Sequence, residues 1–369
     1  MVNGSAQEAK KMYRGKIISV AIATYNGEKY IREQLDSILN QTVVPDEIVI
    51  SDDGSTDQTI KILQEIANSH QSKIHLYSDN PRHGFAYNFG YAVSHCSGDI
   101  LFLCDQDDIW APEKVERISE VYCNFPDALC VFHNAASIDS EGNPCNILFN
   151  SYVQSLADQH SYGEVVKVPG DPNCEIAASA PLINGMIMSV SKELLKTAFP
   201  FPPIPYQHDG WLWFCSEALD GCYYLNEILT SRRLHSSNTS GAGRQGFGVH
   251  RIKKILHHIA KQNEYARIRI VYSQYMQEYI QLYCSKDNAG AMHALSTILR
   301  INEMGCAELS AARAGRLSGA IQLTRLYFHN TRYRRSGGKM FLYELADIIL
   351  RSKKKRLQSL NQIMTEVKD

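Results

Sequence analysis

The spacing of apolar and polar positions changes character several times along this chain. Residues 17–24 (IISVAIAT) are a short β-branched run, which predicts a buried strand. After a turn at Tyr25-Asn26-Gly27, the residues Ile31, Leu35, Ile38 and Leu39 recur at helical spacing, with Asn26 available as a cap. Glu47 to Ile50 predicts a second strand, which ends in Ser51-Asp52-Asp53-Gly54. Ser55-Thr56-Asp57 can then cap a helix whose inner face is Ile60, Leu63 and Ile66. Ile74 to Tyr77 predicts a third strand, Phe85 to Ser94 a helix, and Ile100 to Cys104 a fourth strand. Strands alternating with helices imply an α/β fold with a parallel sheet flanked by helices. Such sheets bind ligands beyond the carboxyl ends of their strands. Those ends carry Thr24-Tyr25-Asn26, Asp52-Asp53, Asp79-Asn80 and Asp105 to Asp108, so polar and acidic residues converge on one sheet edge.

From about 130 to 180 the pattern loosens, and residues 140–175 read as loop or lid. Leu182 to Met188 predicts a return to strand. A Pro-rich turn at 200–205 leads to Tyr206-Gln207-His208-Asp209-Gly210, which opens a helix through Trp211, Phe214 and Ala218. Beyond about 250 the chain reads as helices, and it contains no internal repeat.

Charge divides the chain in two. Residues 1–240 hold 16 basic and 30 acidic side chains, whereas residues 241–369 hold 22 and 9. An acidic half followed by a basic half suggests two tasks. The acidic character of the first half argues against nucleic acid as a partner. The opening MVNGSAQEAKKMYRG has no apolar core of a leader, and no run is long enough to span a membrane. The ten cysteines show no C-x-x-C pair, so reduced thiols in a cytoplasmic protein are expected.

The candidate chemistry centres on Asp105-Gln106-Asp107-Asp108, where three carboxylates directly follow a buried strand. They repel one another and gain nothing from the core. A hard divalent cation would relieve that repulsion and could hold a phosphate. The plainer reading is a solvated loop capping the helix after Trp110-Ala111-Pro112. Asp52-Asp53-Gly54 has a turn as its plainer reading, and its adjacent aspartates do not fit an aspartyl-phosphate motif. Gly241-Ala242-Gly243-Arg244-Gln245-Gly246 matches G-x-G-x-x-G, but it follows no strand and reads as a loop from which Arg244 could reach a phosphate. Asp209 reads locally as a helix cap and His235 as a surface histidine.

Taken in order, Val20-Ala21-Ile22-Ala23-Thr24-Tyr25-Asn26, Ile50-Ser51-Asp52-Asp53-Gly54-Ser55-Thr56-Asp57, and Gly98-Asp99 leading into Asp105-Gln106-Asp107-Asp108-Ile109-Trp110-Ala111-Pro112 resemble the inverting nucleotide-sugar glycosyltransferases of family 2. With His208-Asp209-Gly210-Trp211 downstream, the chain looks most like bacterial rhamnosyltransferase-type members. The resemblance runs over residues 16–120 and continues more loosely to about 241. It implies a GT-A-type, Rossmann-like, mostly parallel sheet over residues 16–245, after an N-terminal tail (1–15) and before a basic helical region (246–369). It further implies that Thr24 and Asn26 lie beside the nucleotide, that Asp52 accepts from the pyrimidine N3–H, and that Asp53 supports that loop. Asp105 would approach the ribose, and Asp107, with His235 nearby, would bind Mg²⁺ or Mn²⁺ bridging the diphosphate. Asp108 would support the cluster, and Asp209 would be the general base. Many members carry a basic residue just before the asparagine at Asn88, where this chain has Tyr87; Arg232, Arg233 or Arg244 would have to compensate.

The implied partners are a nucleotide-sugar donor, such as dTDP-rhamnose or a UDP-sugar, and a glycan or lipid-linked glycan acceptor in cell-surface polysaccharide biosynthesis. Aromatic residues among Arg332, Arg334, Arg335, Lys339 and Arg351 to Arg356 suit an anionic membrane surface at the inner face, or else a helical packing or homo-oligomerisation region. Two other functions fit the sheet. A sugar-phosphate nucleotidyltransferase would need a Gly-rich loop after the first strand, which Thr24 to Glu28 does not supply. A non-catalytic sugar-nucleotide scaffold would have no need of Asp107 and Asp209.

Overall fold

The computed structural model describes residues 15–78, 84–168, 183–202, 208–236 and 273–284. The chain divides into two compact units, residues 1–244 with 279–294, and residues 245–278 with 295–369. The elements from β1 to β10 belong to the first unit. The predicted Asp79-Asn80 end, the glycine motif with Arg244, and the basic segment at 320–369 lie outside the described residues.

The sheet is built outward from β1 (Ile18–Thr24), which is flanked by β2 (Glu47–Asp52) and β4 (Ile100–Cys104), with β3 (Ile74–Tyr77) beyond β2. These four strands are parallel. β1 and β4 are buried almost throughout, which explains their continuous apolar runs. Ile18, Val20 and Ile22 of β1 point into a core shared with α1 (Ile31–Leu39), α2 (Thr59–Ser69) and α4 (Lys114–Asn124). On α1 the buried positions are Ile31, Gln34, Leu35 and Ile38, one helical stripe. On α2 they are Thr59, Leu63 and Ile66, so Ile60 lies at the edge of that face. α3 (Phe85–Ser94) buries Phe89, Ala92 and Val93 outside that core and packs on β1 and β2.

The second half of the sheet is mixed. β9 (Met188–Ser191) runs antiparallel to both β4 and β6 (Cys130–Ile138); β6 is parallel to β10 (Cys222–Arg233), which pairs antiparallel with the short β5 (Ile109–Trp110). β7 (Pro144–Cys145) extends β6, and β8 (Val165–Lys167) extends β10. α5 (Ser151–Ala157), α6 (Lys192–Ala198) and α7 (His208–Ala218) follow in chain order.

Several expectations need correction. The segment at 182–188 is not a strand throughout: Gly185–Ile187 forms a 3-10 turn, and the strand begins only at Met188. The Gly185 amide is taken by Asp209 and the Ile187 amide by Asn184 O, which withdraws both from any ladder. The loop expected over 140–175 contains β7, α5 and β8. β6 lies where the sequence pattern loosens, because His133 and Asn134 interrupt its apolar run. β10 was hidden by Asn226-Glu227, which sit among its register shifts. Asn26 does not cap α1, whose N-cap is Tyr30 with no side-chain bond.

Candidate active site

The parallel register sets Thr24 beside Asp52 at the carboxyl ends of β1 and β2. Thr24 Oγ1 donates to Asp52 Oδ2 at 2.7 Å, and Ser55 donates to the same carboxylate through both its amide (2.7 Å) and its hydroxyl (2.6 Å). Asp52 is 0% exposed, so its oxygens are committed to this loop. Asp53 is also buried, with its amide on Thr24 O and its Oδ2 accepting from the Gly84 amide at 3.0 Å. Asn26 adopts φ +48°, a left-handed conformation that asparagine tolerates. From there its amide donates to Ser55 Oγ and its Oδ1 accepts from the Thr56 amide, both at 2.8 Å. Asn88 donates to Thr24 O at 3.1 Å and brings the first turns of α3 to the same place.

The acidic loop links β4 to β5. Gln106 pins it to β1: its Oε1 accepts from the Tyr25 amide at 2.9 Å, and its Nε2 donates to Tyr25 O at 3.1 Å. A side chain at Gly27 would collide with that amide group. Asp105, Asp107 and Asp108 each present one oxygen, and these atoms lie within 4.8 Å of one another. His235 Nε2 is 2.7 Å from Asp107 Oδ2, and its ring packs 4.8 Å from that of Tyr30. Asp108 Oδ1 accepts from the Arg233 amide at 2.9 Å, while its Oδ2 is buried with no hydrogen-bond partner.

Burial, and then the neighbouring Asp107 and Asp209 charges, push Asp105 up to about 7; Arg232 and Lys114 oppose them. Burial, with Asp107 and Asp105, likewise raises Asp108 well above the usual carboxylate range. An orphaned carboxylate oxygen in a crowded, all-oxygen cluster beside an imidazole fits a hard divalent cation.

Arg233, 2% exposed, locks this loop in place. Its Nε donates to Asp107 O at 3.0 Å, its Nη2 donates to Glu33 at 2.6 Å, and its guanidinium lies 4.7 Å from the centre of the Tyr30 ring. That commitment removes Arg233 from the residues available to replace the base missing at Tyr87. Arg232 packs over Phe149, and its charge reaches Asp105.

Asp209 is the second residue of α7 rather than its cap. Its Oδ2 accepts from the Gly185 amide at 3.3 Å and its Oδ1 from the Gly210 amide at 2.8 Å. The preceding His208 is buried against Phe89 (ring centres 4.3 Å apart), and neither of its ring nitrogens has a hydrogen-bond partner. Burial lowers its pKa, against the Asp209 charge.

Thr24, Asn26, Asp52 and Asp53 thus form one interlocked group, and Asp105, Asp107, Asp108 and His235 a second. Asp209 is near enough to the second for its charge to bear on Asp105. Sequence reasoning missed Gln106, Lys114 and Gly185, and considered Arg233 only as a stand-in for the base missing at Tyr87. An uncharged residue inside an acidic run was the one available signal, at Gln106.

The profile of glycosyl transferase family 2 matches residues 19–168. The chain is 30% identical over 224 residues to an uncharacterized glycosyltransferase of Nostoc sp. (60% of this chain, 66% of that one). It is 35% identical over 145 residues to the chondroitin synthase of Escherichia coli (39% of this chain, 20% of that one). It therefore spans about two thirds of the length of the first and a fifth of the second. The crystal structure of S. aureus TarS 1-349 in complex with UDP superposes with a TM-score of 0.53 at 15% identity, covering 90% of this chain and 88% of that one. That likeness supports the Rossmann-like α/β sheet of the GT-A fold. The domain at residues 19–168 is thus one of glycosyltransferase family 2.

Proposed function

We propose that the chain transfers a sugar from a nucleoside-diphosphate donor to a hydroxyl of a glycan or lipid-linked glycan, with inversion at the anomeric carbon. The observation that carries this reading is the pairing of two acidic features. One is a metal-fit cluster at Asp105, Asp107 and Asp108; the other is a single anchored carboxylate, Asp209, within electrostatic reach of it. Family membership and the similarity to a chondroitin synthase support a saccharide product.

Asp107 and Asp108, with Asp105 and His235 beside them, would hold Mg²⁺ or Mn²⁺. When bound, that ion supplies Lewis acidity to the departing diphosphate. Arg233 holds Asp107 and Asp108 in register by their main chain and carboxylate. Thr24, Asn26 and Asp53 border the nucleotide. Three internal donors already lie on Asp52, so its part is to hold the Thr24 and Ser55 loop beside the nucleotide. Asp209 accepts the acceptor hydroxyl's proton as that oxygen bonds to the anomeric carbon and the bond to the diphosphate breaks. The two main-chain bonds on Asp209 fix its direction and leave lone pairs for that proton. We further place the protein at the cytoplasmic face of the membrane, held there by its basic residues 320–369.

Nucleoside diphosphate release from dTDP-rhamnose, UDP-glucose, UDP-GlcNAc and GDP-mannose tests the proposal. One donor should turn over with Mn²⁺ or Mg²⁺, and EDTA should abolish turnover. Asp209→Asn should lower transfer by about a hundredfold or more with donor Kd little changed. Near-normal turnover in that variant would remove Asp209 from the mechanism.

A further inference from the structure

Lys114 opens α4, and its side chain is 1% exposed. A buried ammonium is costly unless well compensated, and apolar residues often replace one without loss of stability. Core packing alone therefore gives no reason for a lysine here. Its contacts supply one. Nζ donates to Met186 O at 2.8 Å and to Thr230 Oγ1 at 2.9 Å, and it lies 3.9 Å from the centre of the Trp110 ring. Thr230 Oγ1 also approaches Met186 O, at 3.4 Å. Trp110 and Thr230 are register partners in the β5–β10 pair that follows the acidic loop. Met186 is the middle residue of the 3-10 turn Gly185–Ile187, whose Gly185 amide holds Asp209.

One ammonium thus joins the strand pair behind the acidic loop to the turn behind Asp209. We infer that Lys114 is a positioning residue that fixes the Gly185–Ile187 turn, and through it the Asp209 carboxylate, relative to Asp105–Asp108. The inference rests on the reading of Asp209 as the base. The acidic loop keeps its own ties, Gln106 to Tyr25 and Arg233 to Asp107 and Asp108, when Lys114 is lost. Removing Lys114 therefore separates donor binding from catalysis.

The test uses the full chain with Mn²⁺ and the donor that the wild type turns over, comparing Lys114→Met, Thr230→Val and the double variant. Lys114→Met keeps volume and removes the donor group; Thr230→Val removes one partner with little change of shape. Lys114→Met lowers kcat by about tenfold or more, as expected of a displaced catalytic group, with donor KM held within about threefold. Thr230→Val shifts kcat the same way by less, and the double variant is no worse than Lys114→Met, because both act through one link. Hydrogen exchange at amides 185–188 quickens in each variant while amides 105–108 keep their protection.

Folded Lys114→Met with kcat within about twofold of wild type overturns the inference, as does unchanged exchange at 185–188. Should Lys114→Met fail to fold, Thr230→Val is judged by the same two readouts. A wild type that turns over no donor counts against the transferase reading, and the exchange experiment still decides whether Lys114 holds the turn.

Discussion

His133, in the middle of β6, is buried, with Nδ1 on Asn134 O at 2.7 Å and Nε2 without a hydrogen-bond partner. Burial, reinforced by the Lys114 charge, holds its pKa well below the ordinary histidine value. The unfolded chain therefore binds a proton at this residue near pH 6.5 that the folded chain refuses until much lower pH. Stability from this group is complete above about pH 6.5 and falls as the pH drops below it, by up to about 1.4 kcal/mol per pH unit. His208 acts in the same direction, since burial lowers its pKa too. Urea denaturation of wild type and His133→Leu between about pH 4 and pH 8 should show a shallower acid slope in the variant. Equal slopes would mean that the imidazole is not held neutral. Lys114 acts with the same sign in a higher window: burial draws it down to about 7 against the Cys104, Asp108 and Asp105 charges, so the folded chain binds fewer protons there than the unfolded chain between about pH 7 and about pH 10.4.

Among the elements, α1 gives the cleanest check of the core. Leu35 is fully buried in its stripe, whereas Asp36 is exposed. Leu35→Ala should cost about 2–5 kcal/mol, and Asp36→Ala should stay within about 0.5 kcal/mol, both read by denaturant titration. A small loss at Leu35 would mean that α1 is not seated on β1. This stripe was legible in the sequence, as were β1, α3 and β4, because each carries one uninterrupted period. β6 and β10 were not, because polar residues break their runs and their burial comes from distant strands. The 3-10 turn was hidden for another reason: its amides are claimed by partners that local pattern does not reveal. The site divides along the same line. Asp105, Asp107 and Asp108 stand out as residue types in place, whereas Asp209 reads locally as a cap and enters only through the resemblance. Gln106 and Lys114 matter through main-chain groups 81 and 72 residues away, respectively. Asp52 shows the converse, being prominent in its motif yet turned inward to Thr24 and Ser55.

At the scale of the whole molecule, charge asymmetry is the feature that the first unit leaves unexplained. Among the described residues no helix is long and apolar enough to cross a membrane. Residues 241–369 carry 22 basic against 9 acidic side chains, with Lys353, Lys354 and Lys355 adjacent. An anionic bilayer attracts such residues by about 1 kcal/mol each, and the attraction falls away within a Debye length. If the proposed surface attachment holds, the full chain floats with phosphatidylglycerol vesicles at low salt, and stays behind with phosphatidylcholine vesicles or in high salt. Reversing Lys353, Lys354 and Lys355 to Glu removes three attractions and adds three repulsions, so vesicle affinity should fall by about a hundredfold or more. The soluble catalytic steps should be unaffected, so nucleoside diphosphate release from donor and a water-soluble acceptor serves as the control. Flotation that is indifferent to lipid charge, or unchanged by the reversal, would instead assign the basic segment to packing or self-association, which the oligomeric state of the variant would then report.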